Sequence, residues 1–202
     1  MVPADTCDAI QLQAVDVDGK GLRIVFRHQG DRYGHEIFWI DGDREVGVLR
    51  SCEGTSDQRW PLSPPWQSLE LDGGSMGRPT AFLLGMAGNS HWSMSVQVES
   101  ARRRAIFDVA CRLRQLPDFL GTSYEVIGDC ELASYPRGAL VSLGESHGAA
   151  LEKGKTPIAV AWDDTEAAVD VHLENRRVEL LPTGIVSSFP TTVRWKFEVF
   201  AP

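Results

Sequence analysis

"FRHQGDRYGHEIFW", residues 26–39, is the stretch on which the fold class turns. Apolar and polar residues alternate on either side of Gly30-Asp31, and glycine supplies the positive φ that a type II′ turn needs at its first central position. A two-residue turn there sets His28 opposite Tyr33, Phe26 opposite His35, Ile24 opposite Ile37 and Leu22 opposite Trp39. Apolar side chains then meet apolar ones on one face, and a slip by one residue would put all of them in water.

The same period of two recurs in "EVGVLRSC" (45–52), "HWSMSVQVE" (91–99), "AVDVHLE" (168–174) and "VRWKFEVF" (193–200), interspersed with the turn signals "DVDGKG", "DGDR", "DGGSMG" and "ENRR". "SARRRAIFDVACRLRQL" (100–116) satisfies both a helical stripe and strand alternation. Three arginines in a first helical turn would oppose the positive end of the dipole, whereas a hairpin tip solvates them, so 105–113 reads as a strand beside 91–99. "SDQRWPLSPPW" (56–66) cannot pair along its length, because proline lacks the donor, and reads as an ordered crossover loop pinned by Trp60 and Trp66. The expectation is one all-β domain over residues 1–202, a mainly antiparallel β-sandwich or distorted barrel with long ordered loops and little helix. With 202 residues, 43% of them hydrophobic, the chain is large enough to build one such core.

A formal net charge of -8 repels nucleic acid and anionic membrane, so neither is expected as a partner. The opening "MVPADTCDAIQL" has no basic or apolar region of a signal peptide, and no run of about 18 apolar residues occurs, which makes the cytoplasm the expected compartment. Cys7, Cys52, Cys111 and Cys130 show neither a C-x-x-C spacing nor a histidine spacing that completes a zinc site. They read as free thiols, and no metal or cofactor is expected. "WDDTEA" (162–167) gathers three carboxylates and reads as a solvated acidic turn.

If "DGDR" (41–44) continues the sheet, alternation places Val46, Val48, Arg50 and Cys52 on the face of Ile37 and His35. Opposed side chains on a sheet sit about 5 Å apart and diagonal ones about 7 Å, so His28, Tyr33, His35 and Arg50 would form one cluster above an apolar floor. That is the make-up of a small-ligand site. Arg50 beside the histidines would repel a cation, which favours a carboxylate, phosphate or polyhydroxyl ligand. Glu36 and Glu53 fall on the other face, so the cluster lacks the carboxylate pair of a glycoside hydrolase. The competing reading is the wet end of a strand pair. His91, Ser93, Ser95 and Gln97 form a second polar row, along one side of 91–99, and that row reads as solvated.

Gly144-Glu145-Ser146-His147-Gly148 matches G-x-S-x-G and resembles the nucleophile elbow of the α/β-hydrolase family. The resemblance implies Ser146 as nucleophile, with Asp163, Asp164 or Asp170 and then His172 following in the family's order of acid and then histidine. The sequence departs from the family after the serine. Only five residues separate Gly148 from Gly154, where a full helix is required, and His172 sits in an alternating strand.

These features favour a binding or interaction module without catalysis, serving a small polar ligand, a second copy or another protein. The alternatives are a hydrolase or isomerase acting on a small, carbohydrate-like substrate through a histidine acid or base, and an oligomeric structural protein.

Overall fold

The computed structural model describes residues 9–74, 78–135, 138–143, 158–161, 169–183 and 188–201. Alternating apolar residues form strands because only period two keeps them all on the buried side of a pleat. Along 91–99, for example, Trp92, Met94, Val96 and Val98 are buried, and His91 and Ser93 are exposed. The first four strands are β1 (Ile10–Val15), β2 (Lys20–Gln29), β3 (Arg32–Asp41) and β4 (Arg44–Ser51). Then come β5 (Trp66–Asp72), β6 (Thr80–Ala87), β7 (Ser90–Glu99), β8 (Arg104–Leu113) and β9 (Thr122–Val126). The last six are β10 (Cys130–Tyr135), β11 (Gly138–Leu143), β12 (Ile158–Ala161), β13 (Val169–Glu174), β14 (Arg177–Pro182) and β15 (Thr191–Phe200). One 3-10 turn, Ser100–Arg102, carries the arginine tip between β7 and β8, as the charge argument required.

All pairings are antiparallel, and the strands form one sheet in the order β10-β11-β12-β15-β8-β7-β6-β5-β3-β4-β9-β14-β13, with β2 and β1 branching from β3. A single residue pair, Tyr33 with Trp66, joins β3 to β5. The sheet therefore has two halves, which curl over each other until it nearly closes into a barrel. Aromatic side chains fill the space between. Phe107 stacks on Phe197 at 4.7 Å, Tyr124 meets Phe197 edge-on at 6.1 Å, and Trp195 Nε1 donates to Thr122 Oγ1 across the core at 3.1 Å. Among the described residues, no helix is long and apolar enough to cross a membrane.

The β2–β3 register is the expected one, His28 to Tyr33 through Leu22 to Trp39, around Gly30 at φ +67°. The β4 register is not. Val46 pairs with Trp39 and Gly47 with Phe38, but Leu49 then pairs with Ile37, so Val48 is the extra residue of a β-bulge. Val48 and Leu49 are both fully buried, and Ile127 N–H donates to the bulged Val48 carbonyl at 3.0 Å. Beyond the bulge the alternation is inverted. Arg50, expected on the face of His35, instead lies opposite Glu36 on the outer face.

The crossover 56–66 is ordered, with Trp66 buried and Trp60 edge-on to Trp92 at 6.4 Å. At its end, a Cβ on Gly85 would come within 1.7 Å of the Pro65 carbonyl oxygen, so glycine is required where the crossover meets β6.

Burial separates two residues that look alike in sequence, each apolar and mid-strand. Ile37 is 0% exposed and Leu84 is 58% exposed. Ile37→Ala is expected to cost about 2 to 5 kcal/mol, and Leu84→Ala, measured on protein dilute enough to be monomeric, less than about 0.5 kcal/mol. Urea unfolding midpoints of the two variants check this, and equal losses would refute the assignment of faces.

Candidate functional site

The hairpin cluster is the first region to assemble from its residues. His28 is exposed at the turn and packs edge-on against half-buried Tyr33, with ring centroids 4.9 Å apart. His35, two residues on, is 3% exposed and belongs to the core. Its ring lies 5.6 Å from Phe26, 5.8 Å from Phe107 and 5.3 Å from Tyr124, and its Nε2 is 2.8 Å from the Tyr124 hydroxyl. Burial pushes the imidazole down to about 3, so it is neutral at ordinary pH. Arg50 is on the far side of the sheet, where its Nε donates to Glu36 Oε1 at 2.7 Å and Arg27 donates to Glu36 Oε2 at 2.8 Å. The structure thus brings His28 and Tyr33 together, places His35 beneath them in the core, and separates Arg50 from all three.

A buried polar knot that sequence alternation does not reveal surrounds Ser51. Its Oγ accepts from His35 N–H at 2.8 Å and lies 3.1 Å from the His35 carbonyl and 2.5 Å from Glu53 Oε1. One hydroxyl has one proton to give. A protonated Glu53 that donates to Oγ, while Oγ donates to the carbonyl, satisfies all three contacts. Burial, acting against Ser51 and the Arg32 charge, pushes the Glu53 carboxyl up to about 7, in agreement with that arrangement. Its Oε2 is buried without a hydrogen-bond partner among the described residues. A carboxyl titrating near neutrality suits acid–base chemistry, but the hollow beside it, lined by Arg27, Gly34 and Ser51, holds only about 20 Å³, the room of a single water.

On the outer face of the other half, adjoining hollows of about 410 and 390 Å³ share Leu84, Ser93, Ala110 and Thr192. Register sets out this face in rows. Leu84, Ser93, Ala110 and Arg194 lie side by side across β6, β7, β8 and β15, flanked by the row Phe82, Ser95, Asp108, Lys196 and the row Met86, His91, Arg112, Thr192. The small side chains of β7 and Ala110 leave a trough between an apolar ridge on β6 and a basic bank on β15. Phe82, Leu84 and Met86 are 44%, 58% and 47% exposed. The row His91, Ser93 is solvated as expected, but the ridge beside it was not anticipated. Its signal is "AFLLGMA" (81–87), where Ala81 and Leu83 face the core while Phe82 and Leu84 do not, a strand apolar on both faces.

Asp170 and His172 share the exposed side of β13, and Ser146, like the carboxylates of 162–167, lies outside the described residues. The strands on either side of Ser146, β11 and β12, are antiparallel neighbours, whereas a nucleophile elbow feeds a parallel sheet. Cys52, Cys111 and Cys130 are free thiols, and burial pushes Cys111 up to about 12. Among the described residues, no three His, Cys, Asp or Glu side chains converge as a metal site. Comparison with protein-family models, curated proteins and solved structures finds no match to this chain.

His35 and Glu53 act on stability with opposite sign. His35 takes up no proton when folded until about pH 3, while the unfolded chain binds one below its ordinary 6.5, so stability falls as pH drops through that window. Glu53 keeps its proton to about 7 when folded but loses it above 4.5 when unfolded, so stability falls as pH rises from 4.5 to 7. Glu53→Gln, neutral at every pH, is expected to raise stability at pH 8 by roughly 2 kcal/mol and to change little near pH 4.5. Urea unfolding of both proteins at the two pH values tests this; an unchanged pH difference in the variant would exclude Glu53 as its source.

Proposed function

We propose that this chain is a protein-interaction module without chemistry of its own, and that it makes contact through the outer face of β6, β7, β8 and β15. The observation that carries the reading is the exposed ridge of Phe82, Leu84 and Met86, three large apolar side chains at alternate positions in the middle of a sheet. Apolar surface gathered in this way costs free energy in water and gains it on contact with a partner. Two further features support a contact surface over an enclosed ligand site. The space between the halves is occupied by Phe107, Phe197, Tyr124 and His35, and the trough is open and shallow in side-chain relief, floored by Ser93, Ser95 and Ala110. The sheet beneath is fully paired, so the face is a rigid platform.

Phe82→p-benzoylphenylalanine puts a photoreactive ring on the ridge with little change of shape. Irradiation of the full chain, purified and in cell extract, is expected to give a discrete adduct that disappears when Leu84→Asp is added. The same amino acid in place of Arg27, on the outer face of the other half, should give none. Absence of any ridge adduct in both settings, or an adduct indifferent to Leu84→Asp, would overturn the reading.

A further inference from the structure

We infer that the partner for this face is a second copy of the chain, packed face to face about a two-fold axis that runs along β7. The inference rests on the reading of the face as a contact surface and adds the identity of what covers it. Its ground is that the face is antisymmetric about β7. One strand to one side stands the apolar ridge on β6; one strand to the other side, β8 presents Ala110 opposite Leu84, flanked by the long side chains of Asp108 and Arg112. Two strands to the ridge side, Glu70 on β5 lies beside Phe82 and is exposed; two strands to the other side, Lys196 and Arg194 on β15 form the basic bank. A half-turn about β7 exchanges the two sides. It lays Leu84 over the partner's Ala110, Phe82 over the partner's Asp108–Arg194 pair, Met86 over the partner's Arg112, Glu70 over the partner's Lys196, and Ser93 against the partner's Ser93.

Charge supports this pairing in both directions. Among the described residues, Glu70 and Lys196 have no ion pair within the chain, whereas Asp108 is already held by Arg194 Nη2 at 2.9 Å. Isologous contact places each unpaired charge against its opposite twice, once on either side of the axis. An unrelated partner would need to supply both a ridge-shaped recess and a basic stripe facing Glu70; a second copy has both. Size agrees as well. Five strands about 4.8 Å apart, each of seven to ten residues at about 3.4 Å, give a face of roughly 20 by 30 Å, the scale of the about 800 Å² that each member of a stable pair contributes. Sheets pack face to face about 10 Å apart, a distance that small residues in the trough and large ones on the ridge fill jointly.

Sedimentation equilibrium of the purified full chain tests the inference. The expected result is a dimer, with Leu84→Asp sedimenting as a monomer that keeps the wild-type circular dichroism spectrum. Glu70→Lys and Lys196→Glu are each expected to weaken the dimer by about tenfold or more, because each sets like charges against one another. Combining them in one chain restores it, since every contact then regains opposite signs. A monomer at all concentrations, a dimer that survives Leu84→Asp, or single changes whose effects add without rescue would each overturn the two-fold arrangement. A monomer whose photoreactive Phe82 position still forms its Leu84-dependent adduct in extract overturns the second copy alone and leaves the contact surface standing. Loss of adduct and dimer together removes both.

Discussion

The structure depends on how strand β3 is shared. One of its edges runs the full length of β2, but the other is divided, with Tyr33 bonded to Trp66 of β5 and Glu36 through Asp41 bonded to β4. Between these, the backbone of His35 faces neither strand, and buried amides and carbonyls do not stay unpaired. Ser51 Oγ fills the gap, meeting His35 N–H and the His35 carbonyl at 2.8 and 3.1 Å. The same solution recurs wherever the crossover 56–66 displaces a strand. Ser63 Oγ donates to the Ser123 carbonyl and accepts from its N–H, and the Gln67 amide does the same for Met86 beside the bulge in β5. Three side chains thus complete ladders that the fork interrupts, and the single-pair junction holds because its neighbours are satisfied.

The fork also explains the buried polar knot. Ser51 must point its hydroxyl at the β3 backbone, which leaves Glu53 two residues later to fold over Gly34, where a Cβ would stand 3.2 Å from the glutamate Cγ. Glu53 is therefore half-buried, with its Oε2 enclosed, for reasons of chain path, and that enclosure pushes its carboxyl up toward neutrality. His35 is buried because Phe26, Phe107 and Tyr124 surround it, and it stays neutral for the same reason. Neither group has space for a substrate beside it. Glu53 meets the junction through Ser51, and the His35 ring meets Tyr124 on its other side.

What could be read from sequence followed from how local the cause was. The β2–β3 register depends on Gly30-Asp31 and on alternation within a dozen residues, and it is legible in full. The strand over 105–113 followed from the arginines at its start. The β4 bulge was not legible, because Gly47-Val48-Leu49 fits the inner face with either residue counted, and the hydrogen bond from Ile127 N–H to the Val48 carbonyl comes from a distant part of the chain. That one uncounted residue moved Arg50 to the other side of the sheet and dissolved the expected cluster. Ser51, Glu53 and Tyr124 escaped for a related reason, since they come together through pairing of β4 with β9, across more than seventy residues.

The near closure of the sheet also bears on where a partner can be met. Strands attract one another through unpaired edges, and here the end strands β10 and β13 curl toward the opposite half instead of standing free. The outer face of β2, β3 and β4 is closed on itself by charge, with Arg23 paired to Glu45 and both Arg27 and Arg50 paired to Glu36. Among the described residues, the ridge on the outer face of β6, β7 and β8 has no such cover. Two faces made by the same alternation thus differ in what stands at their outward positions. Where those are arginines and glutamates in register, charge pairs cover the sheet; where they are Phe82, Leu84 and Met86, large apolar side chains stand in water.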